Sequence, residues 1–272
     1  MESICIGTKN RTLGDSLILS TLPQKLKAAY PHLKIYTYPR GLNPVVFKGN
    51  PAVLGLQRAP LALFGDDCNW GSGHHIQVKE AYFNLPHSEP VKPNLFLETK
   101  EILFAENYLE RYSRSSLPLC MIHPWGGTWP KVASRKYWEE LVQRMQGEVR
   151  FWQIGMEGQP SIPGCENFLF LSKSPANARK LFALMDLADA FLGVNSGPMH
   201  VARALGIRSL ILTAQGSVNK IFENRRKYAY FLKGNNAGGF LYEENFHLET
   251  DLLTHDDLIR RSEEFLSRHL VS

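Results

Sequence analysis

The sequence predicts an α/β fold in which parallel strands alternate with helices in two successive units. Short apolar runs at 119–122 and 190–194 are typical of buried parallel strands, and each precedes a segment whose apolar residues recur at helical spacing. A strand, a helix and a second strand over 4–38 show the same order near the amino terminus. A polar, turn-rich segment separates the two units, and we therefore predict domains over 1–115 and 116–272. The sequence leaves open whether the last helix packs back on the first domain.

The composition is that of a globular protein. Of 272 residues, 44% are hydrophobic and 21% are charged, which excludes a disordered chain. No apolar run reaches the length of a membrane-spanning helix, and the amino terminus lacks the pattern of a signal peptide. We therefore expect a cytoplasmic protein with at most peripheral contact to the inner membrane. The cysteines form no Cys-x-x-Cys pattern and are expected as reduced thiols: Cys5, Cys68, Cys120 and Cys165.

The positive charge is concentrated in the first 50 residues. That segment holds seven Lys or Arg and two Asp or Glu, so its surplus equals the net charge of +5 of the whole chain. This asymmetry favours an anionic partner, although basic residues on helix faces often only keep a protein soluble. No basic helix interleaved with aromatic residues is present, and we expect no binding to nucleic acid.

The first unit opens with a strand at 4–6, and a polar loop that contains Arg11 follows it. Apolar residues at helical spacing then predict one helix from Asp15 to about Ala29, and a second strand follows at 33–38. Asp15 lies at the start of the helix, where the dipole favours a carboxylate. It is either an N-cap that serves stability or a carboxylate available for proton transfer.

Residues 40–95 carry the weakest pattern. Gly, Pro, Asn and His are frequent there, and the apolar pieces are brief. A loop that contains Trp70 and His74 could bind an acceptor sugar, yet glycine and histidine in a turn need no function. An amphipathic helix is predicted at 98–112.

In the second unit, a glycine-containing loop follows the strand at 119–122 and contains Thr128 and Lys131. Backbone N–H groups of such a loop can approach a phosphate and a lysine supplies a positive charge, although most lysines after a turn are simply exposed. Glu157 follows the next strand, at 149–154, as either a ligand contact or a loop carboxylate. Further helices are predicted at 138–145, at 176–185 and, behind a capping box at Thr254, up to about Leu270.

The most informative stretch reads as strand, turn, helix and strand over 190–212. A polar turn opens the helix and Gly206 ends it. The turn lies at the carboxyl end of a strand, where open α/β sheets bind ligands and a helix N-terminus attracts phosphate. Taken singly, each of its polar residues is equally explained by capping, turn geometry or a buried histidine. These residues are Asn195, Ser196, Gly197 and His200.

Two segments of the chain resemble family-9 glycosyltransferases, the bacterial heptosyltransferases. The run Asn-Ser-Gly-Pro-Met-His-Val-Ala-Arg-Ala-Leu-Gly, which begins at Asn195, is similar to the family's Asp-Ser-Gly-x-x-His-x-Ala-x-Ala-Leu-Gly segment. The run Arg-x-Leu-Gly-Asp-Ser-Leu-Ile-Leu, which begins at Arg11, resembles the amino-terminal segment of members of the same family. Asn195 stands where the family usually has an aspartate. Asparagine keeps a hydrogen-bond acceptor but lacks the negative charge.

The resemblance implies the GT-B architecture, in which two Rossmann-like domains face a central cleft. It also implies transfer of a sugar, with heptose from ADP-heptose as the expected donor. The expected acceptor is a hydroxyl of an anionic glycan or glycolipid, such as a lipopolysaccharide core or another glycoconjugate. The nucleotide sugar is then a substrate, and we expect neither a further cofactor nor a metal ion, since no Asp-x-Asp pair is well placed to hold one.

The resemblance further implies roles for individual residues. Asp15 is the expected catalytic base, and Lys131 is expected to meet the charge of the leaving diphosphate. The expected donor contacts are Thr128, Glu157, Asn195, Ser196, Gly197, Met199 and His200. The expected acceptor-side residues are Arg11, Gly14, Trp70 and His74.

Two other classes of function need consideration. A dinucleotide-dependent oxidoreductase requires a Gly-x-Gly-x-x-Gly turn after its first strand, and this chain has none. A non-catalytic nucleotide-sugar-binding protein of the same fold stays open, because Asn195 lacks the charge that the family usually carries. Measurement of sugar transfer would separate the binding protein from the enzyme.

Overall fold

Two separate parallel sheets form the framework of the protein. The computed structural model describes residues 2–8, 12–39, 43–57, 62–64, 74–112, 115–126, 133–171, 174–213, 242 and 245–270. One sheet has three strands and the other has six, and every strand pair in both sheets is parallel. The α/β class predicted from the sequence is therefore confirmed.

The first sheet has the order β2-β1-β3. Its strands are β1 (Ser3–Gly7), β2 (Lys34–Thr37) and β3 (Ala62–Phe64). The helices of this half are α1 (Leu13–Ile18), α2 (Leu22–Ala29), α3 (Asn43–Phe47), α4 (His75–Tyr82) and α5 (Thr99–Tyr112).

The single helix predicted from Asp15 to Ala29 is wrong in two respects. Thr12 is the N-cap, so the helix begins two residues earlier, at Leu13. The helix is then broken into α1 and α2, because Pro23 lacks a backbone N–H and is tolerated only in the first turn of a new helix. Asp15 is therefore not the N-cap but the third residue of α1.

The second sheet has the order β6-β5-β4-β7-β8-β9. Its strands are β4 (Leu119–His123), β5 (Arg150–Gly155), β6 (Asn167–Phe170), β7 (Ala190–Val194), β8 (Arg208–Thr213) and β9 (Phe246–Glu249). Its helices are α6 (Arg135–Met145), α7 (Pro175–Met185), α8 (Gly197–Leu205) and α9 (His255–Leu270), the last preceded by a 3-10 turn at Thr250–Leu252. The chain builds outward from β4 to β6 and then crosses over to β7, so the strand order reverses between β4 and β7.

One end of α8 and one end of α9 are capped as the sequence predicts. Gly206 closes α8 with a φ of 82°, a left-handed conformation that glycine adopts without steric cost. At the start of α9, the Asp257 backbone N–H donates to Thr254 Oγ1 at 3.1 Å, and that hydroxyl donates to the Asp257 carboxylate at 2.7 Å. These contacts confirm the capping box.

One continuous hydrophobic core joins the two halves. It includes Leu17 and Ile35 of the first half together with Trp152, Phe182 and Met199 of the second. Helix α7 packs against α5 and α3, and α8 packs against α1. The domain boundary near residue 115 falls between α5 and β4, and it stays a prediction.

A second core fills the opposite face of the larger sheet. It is built around Trp138, Phe151 and Leu266 beneath α6 and α9. Tyr137 of α6 and Ser262 of α9 share a buried hydrogen bond of 2.7 Å. The last helix therefore packs on the second half, whereas the sequence had left open a return to the first domain.

A buried ion cluster braces α7 against the first half. Arg179 Nε donates to Glu101 Oε1 at 2.9 Å, and a second guanidinium nitrogen contacts the other carboxylate oxygen. Lys48 lies 2.9 Å from the same carboxylate. Burial raises the pKa of Glu101, but the hydrogen bonds from Arg179 and its neighbours outweigh this and lower the pKa to about 2.

Candidate functional site

The carboxyl ends of β4 and β7 form the centre of the candidate site. These strands are neighbours, with His123 paired with Gly193, and the strand order reverses between them. Ligands of open α/β sheets bind in the crevice at such a reversal. Asn195 and Ser196 follow β7 directly at this edge and are half-buried.

The first turn of α8 presents its backbone toward this crevice. Ser196 is the N-cap residue in an extended conformation, but its side chain makes no capping hydrogen bond. Its hydroxyl instead donates to the Val194 carbonyl at 3.0 Å. Pro198 occupies the first turn without a backbone N–H. The N-terminus of α8 thus keeps the dipole that attracts a phosphate, and no serine side chain closes it.

Met199 has a different role from its neighbours. Its side chain is fully buried in the core shared by the two halves. Its backbone N–H donates to the Ser196 carbonyl at 3.1 Å. This side chain is therefore part of the core, and its expected contact with the donor stays a prediction.

The two segments that resemble the family meet where α1 packs against α8. A Cβ added to Gly197 would lie 2.9 Å from Leu13 Cβ. A Cβ added to Gly14 would lie 3.0 Å from Cδ2 and 3.2 Å from Nε2 of His200. Only glycine at both positions permits this approach without a shift of the neighbouring atoms. The structure thereby brings Asp15, beside Gly14, to the N-terminal end of α8.

Asp15 is the third residue of α1 and is half-buried. Its backbone N–H donates to Thr12 Oγ1 at 3.2 Å, and that hydroxyl donates to the Asp15 carboxylate at 2.5 Å. This reciprocal arrangement orients one carboxylate oxygen and satisfies a backbone donor at the helix start. The helix dipole favours the ionised form, which is the form that can accept a proton.

His200 is buried, with 3% of its surface exposed. Its Nδ1 lies 2.5 Å from the Tyr242 hydroxyl. Burial lowers the pKa of His200 to about 3, with a smaller contribution from His74. The imidazole is therefore neutral at physiological pH, and any contact that it makes with a phosphate relies on an N–H group and not on charge.

His74 is an N-cap rather than an exposed loop residue. Its Nδ1 accepts a hydrogen bond of 3.1 Å from the Ile76 backbone N–H at the start of α4. Its ring packs on Tyr242, with ring centroids 4.7 Å apart. Burial lowers its pKa to about 4. These contacts give His74 a structural role, and its expected role in acceptor binding stays a prediction.

Glu157 lies at the same edge of the second sheet as Asn195. It follows β5 in an exposed turn, in which the Met156 backbone N–H donates to the Gln159 side chain at 2.8 Å. Strand β4 separates β5 from β7. Because adjacent strands are about 4.8 Å apart, a nucleotide is long enough to reach from the turn of Glu157 to α8.

His123 is a residue at this edge that the sequence analysis did not single out. It ends β4, directly beside β7, and its Nδ1–H donates to the Ile154 carbonyl at 2.9 Å. Burial lowers its pKa to about 4, so the ring is neutral and its Nε2 is the unprotonated nitrogen. The signal available in the sequence was its position, a histidine at the end of a buried strand.

Several expected site residues lie outside the described part of the chain. They are Arg11, Trp70, Thr128 and Lys131. Within the part that is described, no group of three or more His, Cys, Asp or Glu side chains could hold a metal ion. Among the helices of that part, none has the length and apolar composition needed to cross a bilayer.

Three lysines of the first half make ion pairs or hydrogen bonds within the protein. Lys25 pairs with Glu80 at 3.0 Å, and Lys48 pairs with Glu101. Lys27 Nζ donates to the Leu33 carbonyl at 3.1 Å. The surplus of basic residues is therefore a weaker indication of an anionic partner than the sequence alone suggests.

Similar solved structures identify the fold. A family-9 glycosyltransferase from Veillonella parvula matches with a TM-score of 0.66 and 12% identity, over 98% of this chain and 97% of that one. E. coli ADP-heptose lps heptosyltransferase II matches with a TM-score of 0.61 and 13% identity, over 98% of this chain and 99% of that one. E. coli heptosyltransferase WaaC with ADP-2-deoxy-2-fluoro heptose matches with a TM-score of 0.60 and 12% identity, over 97% of this chain and 99% of that one.

No family model and no curated protein matches the sequence. The structural matches cover nearly the whole of each chain, so the chain has the GT-B fold that the two sequence segments predict. The resemblance to family-9 glycosyltransferases is thereby confirmed at the level of the fold.

Proposed function

We propose that this protein is a glycosyltransferase that moves a sugar from a nucleoside diphosphate to an acceptor hydroxyl. The observation that carries the proposal is the packing of Gly14 on His200. It brings Asp15, a carboxylate on a helix start, to the end of α8 that suits a diphosphate. A base and a leaving-group site are thus adjacent, although they come from distant segments of the chain.

The donor is proposed to lie along the carboxyl edge of the second sheet. Its diphosphate would accept hydrogen bonds from the backbone of Ser196 and Gly197 at the start of α8, where the dipole is positive. Asn195 would contribute an uncharged side chain beside it. Glu157 would reach the ribose from the turn after β5. Thr128 and Lys131 would complete the diphosphate contacts from the loop after β4.

The reaction needs one proton acceptor and one site for developing negative charge. The Asp15 carboxylate takes the proton from the acceptor hydroxyl as that oxygen attacks the anomeric carbon, a contribution of ~10²–10⁴-fold. The bond between the anomeric carbon and the diphosphate oxygen breaks, and the nucleoside diphosphate leaves with the electron pair. The N-terminus of α8 and Lys131 stabilise that charge where it develops.

ADP-heptose is the donor that we propose. Two of the similar structures are described as heptosyltransferases, and one of them was solved with an ADP-heptose analogue. The acceptor is proposed to be a hydroxyl of an anionic glycan or glycolipid, such as a lipopolysaccharide core. We propose that the reaction takes place in the cytoplasm, without a metal ion or further cofactor, so full activity is expected in excess chelator.

Thermal unfolding in the presence of nucleotides tests the donor site. A ligand that binds only the folded state stabilises it by ~2.7 kcal/mol when present at 100 times its Kd. We expect ADP to raise the melting temperature more than UDP or GDP at equal concentration. Equal shifts with all three would remove the basis for naming adenine, and no shift with any would argue against a nucleotide site. Detectable binding without transfer would favour the non-catalytic binding protein.

A further inference from the structure

The Asn43 side chain is fully buried at the start of α3 and contacts two other parts of the first half. Its Nδ2 donates to the Thr8 carbonyl at 3.2 Å, and its Oδ1 accepts from the Thr8 backbone N–H at 3.1 Å. These two backbone contacts define which end of the amide is the oxygen. The same Oδ1 lies 2.9 Å from the Ser16 hydroxyl. One side chain therefore links the residue that follows β1 to the first turn of α1.

The Ser16 hydroxyl extends this link toward Asp15. It lies 3.0 Å from the Thr12 carbonyl as well as 2.9 Å from Asn43 Oδ1, so its single proton is shared between two acceptors. Thr12 is also the residue whose hydroxyl contacts both the carboxylate and the backbone N–H of Asp15. A connected set of polar contacts thus joins Asn43 to the carboxylate of the proposed base.

Helix α3, which carries Asn43, is held in turn by the second half of the protein. Val45 and Phe47 are buried in the core that the two halves share. The Val45 carbonyl accepts a hydrogen bond of 3.1 Å from Arg179 of α7. Helix α1 has only six residues, and such a short helix depends on contacts from outside for its stability and its position. Asn43 therefore offers α1 a firmly anchored contact.

We propose that Asn43 and Ser16 are a positioning pair for Asp15, which holds the first turn of α1 in one place relative to β1 and α3. The proposal rests on the glycosyltransferase function proposed above, in which the Asp15 carboxylate takes the proton of the acceptor hydroxyl. The pair itself touches no substrate and transfers no proton. A displacement of about 1 Å at a reacting group can lower a rate by ~10²-fold, so loss of the pair should appear in kcat.

Ser16→Ala breaks the pair and leaves both contacts between Asn43 and Thr8 in place. Ser20→Ala is the matched control, because Ser20 is also fully buried and its hydroxyl also has two partners. It donates to the Leu17 carbonyl at 2.6 Å and accepts from the Asn94 backbone N–H at 2.7 Å. Both variants should lower the urea midpoint by similar amounts.

Only Ser16→Ala should lower kcat for ADP release from ADP-heptose in the presence of acceptor, by about tenfold. The Kd of ADP should change less than about threefold, because the proposed diphosphate contacts lie in the second half. Asn43→Ala should show the same loss of kcat, and Ser16→Ala should add nothing to it. Asn43→Ala removes more contacts, and Ser16→Ala tests the pair even where that variant does not fold. An unchanged kcat in Ser16→Ala, or an equal loss in Ser20→Ala, would overturn the proposal.

A double-mutant cycle separates positioning of the base from a general loss of stability. In the Asp15→Asn background the base is already absent, so Ser16→Ala should change the residual kcat less than about twofold. A further tenfold loss in that background would show that Ser16 does not act through Asp15, and would overturn the proposal.

Amide hydrogen exchange tests the link without any substrate. The Asp15 backbone N–H donates to Thr12 Oγ1, and we expect it to exchange faster in Ser16→Ala but not in Ser20→Ala. In Ser20→Ala the Asn94 N–H should exchange faster instead. Unchanged exchange at Asp15 in Ser16→Ala would overturn the positioning role. If the wild-type protein releases no ADP from ADP-heptose, the proposed function fails, and the exchange rates alone then decide whether the pair holds the start of α1.

Discussion

Gly14 and His200 are packed so closely that a Cβ on the glycine would lie 3.0 Å from Cδ2 of the imidazole. The two residues come from the two sequence segments that resemble family-9 glycosyltransferases. Their contact aligns the start of α1 with the start of α8, and it places the proposed base beside the proposed diphosphate site.

Gly14→Ala should disturb the junction. The added Cβ forces a shift of the His200 ring, and overpacking of this kind costs about 1–3 kcal/mol, partly offset by the ~1 kcal/mol by which alanine favours a helix over glycine. We expect sugar transfer to fall by about tenfold, with a modest loss in the free energy of unfolding measured in urea.

Gly147→Ala is the matched control for that variant. Gly147 follows α6, and no described atom would lie within 4 Å of a Cβ added there. We expect unchanged transfer and unchanged or slightly higher stability. Equal activity in the two variants would show that the contact between Gly14 and His200 does not matter for the reaction.

Arg179→Met should weaken the ionic contact between α7 and the first half of the protein. The variant leaves the buried Glu101 carboxylate without its main partner, which typically costs about 3–5 kcal/mol. Arg144→Met removes an exposed arginine that pairs with Glu140 and Glu263, and it should change stability little. Urea unfolding of both variants tests this, and similar midpoints would contradict the assignment of the Arg179 cluster.

Stability should fall as the pH is lowered from about 6.5 to about 4. Burial lowers the pKa of His74 from 6.5 to about 4, so the unfolded chain binds a proton in this range and the folded one does not. The stability that this histidine contributes is therefore present above pH 6.5 and lost as the pH falls. Its full size is about 3 kcal/mol.

His74→Asn isolates this effect, because asparagine caps a helix well and does not titrate. We expect the free energy of unfolding, measured in urea across this pH range, to depend less steeply on pH in the variant. An unchanged slope would mean that His74 does not account for the acid sensitivity.

Most elements of the second half could be predicted from local patterns, but the edge strands β6 and β9 were missed. The strand at Ala190–Val194 and the glycine that ends α8 each depend on residues within a few positions. Helices α3 and α4 were missed because they are short and because tertiary packing, more than periodicity, stabilises them. The break before α2 shows that a proline overrides an otherwise continuous apolar pattern.

The features of the candidate site also fall into those that the sequence predicts and those that it does not. The turn after β7 and Asp15 could be found from motifs, because each motif is local. The contact of Gly14 with His200 and the hydrogen bond between His200 and Tyr242 join residues far apart in the chain, and no pattern within one segment predicts them. His123 was missed because only the strand order reveals that β4 lies beside β7.

Asp15→Asn tests the central claim, that Asp15 is the base of a sugar transfer. Asp257→Asn is the matched control, because Asp257 makes the same pair of contacts with Thr254 at the start of α9 that Asp15 makes with Thr12. Both substitutions remove a carboxylate from the first turn of a helix, so both should lower stability slightly. Only Asp15 lies beside the proposed diphosphate site.

The decisive measurement is the rate of ADP release from ADP-heptose by the wild-type protein and these two variants, with lipopolysaccharide core oligosaccharide as the acceptor. We predict that Asp257→Asn retains the wild-type rate and that Asp15→Asn loses at least ~10²-fold while binding ADP with unchanged affinity. A wild-type rate in Asp15→Asn would contradict the account, since the proton of the acceptor would then be removed by another group.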